Sequence, residues 1–159
     1  MIRSAHALLA LAAFGLVSIA TPSLAGERVL SKIGGWRIVL NLNNDNSFNR
    51  CIIQADQKGH MLRLAFDGKD MESSLSVPAA GHKNGADGRI GFNGSQTEVF
   101  AFRSNKERAW TRLNWDMTRM FETAGSIEVS VGKAEFQWKL ADTTKAMVAV
   151  TDCVNQYAG

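Results

Sequence analysis

The hydrophobic pattern beyond residue 26 is mostly that of β-strands. Apolar and polar residues alternate over 61–66, 71–77 and 126–131, the period expected when one face of a strand is buried. Short strands separated by Asn, Asp and Gly residues predict an antiparallel meander. Further apolar, β-rich segments cover 36–42, 48–55, 90–92, 98–102 and 134–140.

The segments between these strands carry several turn signals. Asn93-Gly94 suits the positive backbone angles of a tight hairpin. A longer irregular loop, rich in Gly, Ala and Asn, covers 78–89. Residues 110–116 show no clear period, whereas 117–124 predict one or two helical turns that end at Gly125.

The C-terminal segment has a helical period. One apolar stripe comprises Ala146, Met147, Val150, Cys153 and Val154. Asp142 is a favourable N-cap, so we expect an α-helix over about residues 142–156. The whole pattern predicts a mainly β fold, an antiparallel β-sandwich or flattened barrel of about seven to nine strands closed by this C-terminal helix.

The first 25 residues have the three regions of a cleavable signal peptide. Arg3 supplies the positive start, 7–20 are almost wholly apolar, and Ser23-Leu24-Ala25 places small residues at the cleavage site. A membrane anchor is the alternative, but about 20 apolar residues are needed to cross a bilayer and this run is nearer 14. We therefore expect a single mature domain, 26–159, with no transmembrane segment.

The composition of the mature part excludes some function classes. The whole chain has a net charge of +3, and losing Arg3 with the signal peptide leaves +2. This balance is too weak to indicate nucleic-acid binding. An exported protein would also rarely meet nucleic acid.

Two cysteines, Cys51 and Cys153, lie in the mature part. An even pair in a small exported domain is most simply a disulfide. A redox or metal pair is the competing interpretation. The spacing argues against it, because there is no Cys-x-x-Cys and neither cysteine has a His beside it.

No catalytic motif is present in the sequence. The mature part has only two histidines, His60 and His82, both expected in turns, and no serine lies in a Gly-x-Ser-x-Gly elbow. The Gly-rich stretch 81–91 matches neither phosphate-binding fingerprint. We expect no metal and no cofactor, and the sequence leaves an enzymatic activity open while favouring none.

One basic, aromatic stretch stands out between residues 103 and 119. Arg and Trp are enriched at binding hot spots, so these side chains could form a surface that meets an anionic envelope component. In the other interpretation both tryptophans lie in the core and the arginines solvate the outer face. The candidate residues are Arg103, Lys106, Arg108, Trp110, Arg112, Trp115 and Arg119.

Several structural motifs resemble a broad group of small exported proteins of Gram-negative bacteria. Segment 136–154 is similar to their tail, in which an aromatic strand is followed by a short Ala-rich helix that runs into Cys-Val. Gly35-Trp36 near the mature start, and Cys51 in a strand led by Phe48, match the same group. The resemblance implies a periplasmic location and a Cys51–Cys153 bridge, and it carries no activity over to this chain.

Two functional hypotheses follow from these features. The first is a non-enzymatic periplasmic binding or accessory protein of the cell envelope, whose partner is an envelope component or another protein. The alternative is an inhibitor or immunity-type partner of a periplasmic or secreted enzyme, in which the 78–89 loop is one rigid contact.

Overall fold

The fold is mainly β, as the hydrophobic pattern predicts. A computed structural model describes residues 26–68, 70, 72–78 and 85–159. The predicted signal peptide (1–25) and His82 lie outside these residues. Ten strands form one antiparallel sheet that is not closed into a barrel, and the C-terminal helix packs on it.

Along the described residues, eight strands are followed by a helix, two further strands and a second helix. The order across the sheet is β1-β2-β3-β4-β5-β8-β7-β6-β9-β10. The elements are β1 (Glu27–Ile33), β2 (Trp36–Leu42), β3 (Phe48–Gln57), β4 (His60–Phe66), β5 (Ser73–Val77), β6 (Ala86–Phe92), β7 (Ser95–Ser104), β8 (Ala109–Leu113), α1 (Trp115–Thr123), β9 (Ser126–Val131), β10 (Ala134–Lys139) and α2 (Thr143–Tyr157).

Three parts of this order differ from expectation. The predicted irregular loop 78–89 is too long, because β6 begins at Ala86. The sheet has ten strands where about seven to nine are expected. The extra edge strand, β1, has mostly exposed side chains, and only Leu30 and Ile33 pack partly against the core, so its sequence carries no clear alternation. The ambiguous segment 110–116 divides between β8 and the first turn of α1.

Tight turns set the register of the hairpins. Asn93 and Gly94 have φ angles of 52° and 80°, which confirms the predicted Asn-Gly hairpin between β6 and β7. Lys58 and Gly59, with φ angles of 56° and 77°, form the equivalent turn between β3 and β4. With the registers set in this way, the alternating apolar residues of neighbouring strands face the same side.

The sheet folds over one main core. Apolar side chains from the first strands (Leu40, Ile53, Leu64) and from the last (Val129, Trp138) belong to the same buried cluster. The two ends of the sheet also meet through side chains. The Trp138 indole donates to the carbonyl of His60 at 2.8 Å, and the Lys139 amide donates to the side-chain oxygen of Gln57 at 2.9 Å. These contacts bring β10 to the β3–β4 turn, although no strand pairing joins β10 to β3 or β4.

The C-terminal helix is held on the sheet by packing and by a covalent bond. The predicted apolar stripe of α2 is buried. Cys51 and Cys153 form a disulfide, with Cα atoms 6.1 Å apart and a sequence separation of 102. This confirms the predicted bridge, which joins α2 to β3. Asp142 is the N-cap residue of α2, as predicted, but its side chain does not cap the helix. Asp142 has a φ of 58° and makes no side-chain capping bond, and its carboxylate accepts from Lys145 at 2.7 Å.

Candidate functional site

A second face of the sheet, opposite the main core, is rich in arginine. The register places one row of residues side by side across five strands there. Three of them are apolar and buried in a small separate cluster. The polar end of the row lies on β5 and β8. The row comprises Val39, Ile52, Ala65, Ser74 and Arg112.

Two adjoining concavities lie on this face, and together we call them the arginine trough. Their volumes are about 290 and 560 Å³, and they share Arg50, Ser74 and Trp110. The first is also lined by Glu27, Asn41, Asn49, Ile52, Arg63, Ala65, Ser76, Asn105 and Arg108. The second is also lined by Asp67, Ala101, Arg103, Thr111 and Arg112. Five arginines against two acids give the lining a net charge of +3.

Arg108 is a half-buried cation of the trough whose guanidinium donates to neutral oxygen atoms. Its guanidinium donates to the carbonyls of Met61 and Ser76 at 2.7 and 2.8 Å and to the Ser76 hydroxyl at 3.2 Å. No carboxylate among the described residues lies within ion-pair distance of it. Burial and then the charge of Arg63 lower the pKa of Arg108 to about 10, so the side chain stays charged at neutral pH although its surroundings disfavour that charge. A bound anion would relieve this cost.

Other arginines of the trough are partly neutralised. Arg63 pairs with Glu27, and Arg50 lies 3.7 Å from a carboxylate oxygen of Asp67. Arg112 donates to Glu72 at 2.5 Å in an exposed pair. Exposed ion pairs of this kind contribute about 0–1 kcal/mol to stability, so an incoming anion can compete with the acids.

Two buried polar atoms beside the trough have no hydrogen-bond partner among the described residues. They are the side-chain oxygen of Gln54 and Nε of Arg63, and these residues face each other across β3 and β4. Gln54 is 5% exposed. An unmade buried hydrogen bond costs about 1–3 kcal/mol, so this part of the face is polar and incompletely satisfied.

The predicted basic, aromatic surface divides among three places: the trough, the turn between β7 and β8, and α1. Four of its seven residues line the trough. Lys106 is exposed in the turn between β7 and β8, beside Asn105, whose side chain accepts from the Arg108 amide at 2.8 Å. The four trough residues are Arg103, Arg108, Trp110 and Arg112. Their binding role stays a prediction.

The remaining two residues, Trp115 and Arg119, lie on α1. The Arg119 guanidinium stacks 4.6 Å above the Trp115 ring, and both line a groove of about 270 Å³ between α1 and α2. Trp115 also shares a neighbouring depression with Arg112. Trp115 is 60% exposed and Trp110 is half-buried in the trough, so the interpretation that puts both tryptophans in the main core is wrong.

The sequence patterns missed several residues of the trough. Arg50, Arg63 and most of the Asn and Ser side chains come from strands far from residues 103–119 in sequence. Their alternation with buried neighbours could have shown that they face away from the core, since Arg63 stands between Leu62 and Leu64. That they face the Trp110 side of the sheet depends on the strand order, which the sequence pattern does not determine.

We next consider whether the described residues form a histidine or metal site. His60 is exposed, and its ring packs edge-on against Phe136 with centroids 5.3 Å apart. No group of three His, Cys, Asp or Glu side chains in the described part of the chain is placed to hold a metal ion. The trough itself is lined mainly by cationic and neutral hydrogen-bonding side chains.

Comparisons with protein-family models, with curated proteins and with solved structures returned no match to this chain. In the described ranges, no helix is both long and apolar enough to cross a membrane. The functional conclusion therefore depends on the trough and on the sequence features.

Proposed function

We propose that this protein is a non-enzymatic binding protein of the periplasm of a Gram-negative bacterium, and that it holds an anionic envelope component in the arginine trough. The observation that carries the proposal is Arg108, a partly buried guanidinium with neutral acceptors only. Charge-assisted hydrogen bonds to an anion are roughly twice as strong as neutral ones. An anion in the trough would therefore gain from Arg108 more than from an arginine already paired.

The signal-like segment and the disulfide support the location. The apolar run before Ala25 has the order and length of a secretory signal. The Cys51–Cys153 bond suits an oxidising compartment. Amino-terminal sequencing of protein from a periplasmic extract should give Gly26 as the first residue. Recovery of the uncleaved chain from the cytoplasm would contradict the location and leave the anion-binding proposal to its own test.

The anion proposal is tested by calorimetric titration with tripolyphosphate at constant ionic strength. Arg108→Gln removes the central donor and should weaken binding at least tenfold. Arg89→Gln should leave binding unchanged, because Arg89 is an exposed arginine on the other half of the sheet. Equal affinity of the wild type and Arg108→Gln would overturn the proposal.

A second variant keeps the test informative if Arg108→Gln is unstable. Arg103 is exposed and has no ion-pair partner in the part of the chain that the structure describes. Arg103→Gln should therefore keep the urea midpoint of the wild type and still lower the affinity several-fold. A Kd that neither substitution changes would place the anion elsewhere.

A further inference from the structure

The two concavities of the trough meet at one aromatic side chain. The Trp110 indole lines both of them. Its cross-strand neighbours are Ser76 on β5 and Arg103 on β7, and Arg112 follows it on the same face of β8. A molecule lying along the trough must therefore pass over Trp110.

Cations flank Trp110 on both sides. Arg63 and Arg108 belong to the first concavity, and Arg103 and Arg112 to the second. The Arg108 guanidinium is held at Ser76 and the Arg112 guanidinium at Glu72. These two acceptors are four residues apart in sequence, which corresponds to about 13 Å of extended chain. A ligand that contacts both guanidinium groups where they are held is therefore elongated and has at least two separated anionic groups.

The uncharged lining is polar. Apart from Trp110, the apolar contribution is confined to Ile52, Ala65 and Ala101. An acyl chain would require a continuous apolar channel, which these side chains do not form. The neutral donors and acceptors suit hydroxyl groups instead, and they are Asn41, Asn49, Ser74, Ser76, Asn105 and Thr111.

We infer that the ligand of the trough is an acidic saccharide chain, with one sugar ring packed on Trp110 and acidic groups of its neighbours held by the arginines on either side. This inference rests on the proposed anion-binding function and names its ligand class. The C–H groups on the face of a sugar ring carry partial positive charge, which matches the negative face of an indole. Carboxylates match the fork of an arginine guanidinium.

The experiment titrates three probes into the wild type and two tryptophan variants. The first probe is a short oligogalacturonate, which has both sugar rings and carboxylates. Oligoglutamate of equal charge has carboxylates without sugar, and a neutral malto-oligosaccharide has sugar without charge. Trp110→Leu removes the indole of the trough, and Trp115→Leu removes an exposed indole on α1 outside it.

The expected result is a preference that depends on Trp110. The wild type should bind oligogalacturonate at least tenfold more tightly than oligoglutamate and should not bind the neutral sugar. Trp110→Leu should lose that preference and keep its affinity for tripolyphosphate within about twofold, while Trp115→Leu matches the wild type. If Trp110→Leu does not fold, Trp110→Tyr replaces it, with a smaller loss expected because an aromatic face remains.

Three outcomes would overturn the inference, and they are distinguishable. Equal binding of oligoglutamate and oligogalacturonate would point to an acidic peptide and leave the anion-binding function standing. An unchanged preference in Trp110→Leu would remove the sugar contact. Failure of every anion to bind, tripolyphosphate included, would overturn the proposed function together with this inference.

Discussion

Breaking the Cys51–Cys153 bond should lower stability more than any single surface change. The bond closes a loop across 102 residues of sequence separation. For a loop of this size, the lost entropy of the unfolded chain corresponds to about 4.7 kcal/mol. With a urea dependence of about 2 kcal/mol per molar for a small domain, the unfolding midpoint should fall by about 2.3 M. The bond acts mainly on the unfolded chain in this picture.

The native contacts of α2 should survive reduction. Ala146, Val150 and Val154 are almost wholly buried and hold the helix on β2 and β3 without the bond. We therefore expect the reduced protein to keep the circular dichroism spectrum of the oxidised one while unfolding at lower urea. A Cys51→Ala/Cys153→Ala variant, measured with and without reductant, shows whether the reductant acts through anything else.

A small effect would refute this reasoning. If reduction lowers the free energy of unfolding by less than about 1 kcal/mol, closure of the loop does not limit the unfolded chain. A reduced protein that loses its helical signal before the sheet unfolds would show a different failure, because α2 would then depend on the bond for its native position. Urea titrations followed at helical and aromatic wavelengths separate the two results.

Three further substitutions test the packing and the caps by urea denaturation. Gly88→Ala places a Cβ against a backbone carbonyl of β9 and an aromatic ring of β7, so we expect the free energy of unfolding to fall by about 1–3 kcal/mol or more. Its control is Gly35→Ala, whose Cβ meets no atom within 4 Å, and its free energy of unfolding should stay within about 0.5 kcal/mol of the wild type. Asn114→Ala removes the 2.9 Å bond that caps α1 and should cost about 1 kcal/mol, while Asn114→Asp keeps it. Trp36→Phe loses the 2.8 Å bond to the Ala141 carbonyl and part of a buried ring, with an expected cost of about 2 kcal/mol. An unchanged urea midpoint in Gly88→Ala, Asn114→Ala or Trp36→Phe would contradict the contact assigned to that residue.

Local sequence patterns were enough for most strands and for both helices. The alternation in β4 and β9, the Asn-Gly turn and the stripe of α2 each depend on residues close together in the chain, where side-chain period and backbone preference act directly. The bridge between Cys51 and Cys153 followed from composition and compartment. The edge strand β1 was missed because one edge strand buries little and needs no regular alternation.

The arginine trough depends on long-range order instead. Strand β8 pairs with β5 on one side and with β7 on the other, and this order brings Trp110 and Arg108 beside Arg63 and Arg50. Arg63 and Trp110 alternate with buried neighbours in their own strands, so the sequence shows only that they face away from the core. The strand order depends on how completely the whole apolar face is buried. That burial is the sum of many contacts between residues distant in sequence, and no short segment contains them. The fold class could therefore be read from the chain, whereas the candidate site exists only in the assembled sheet.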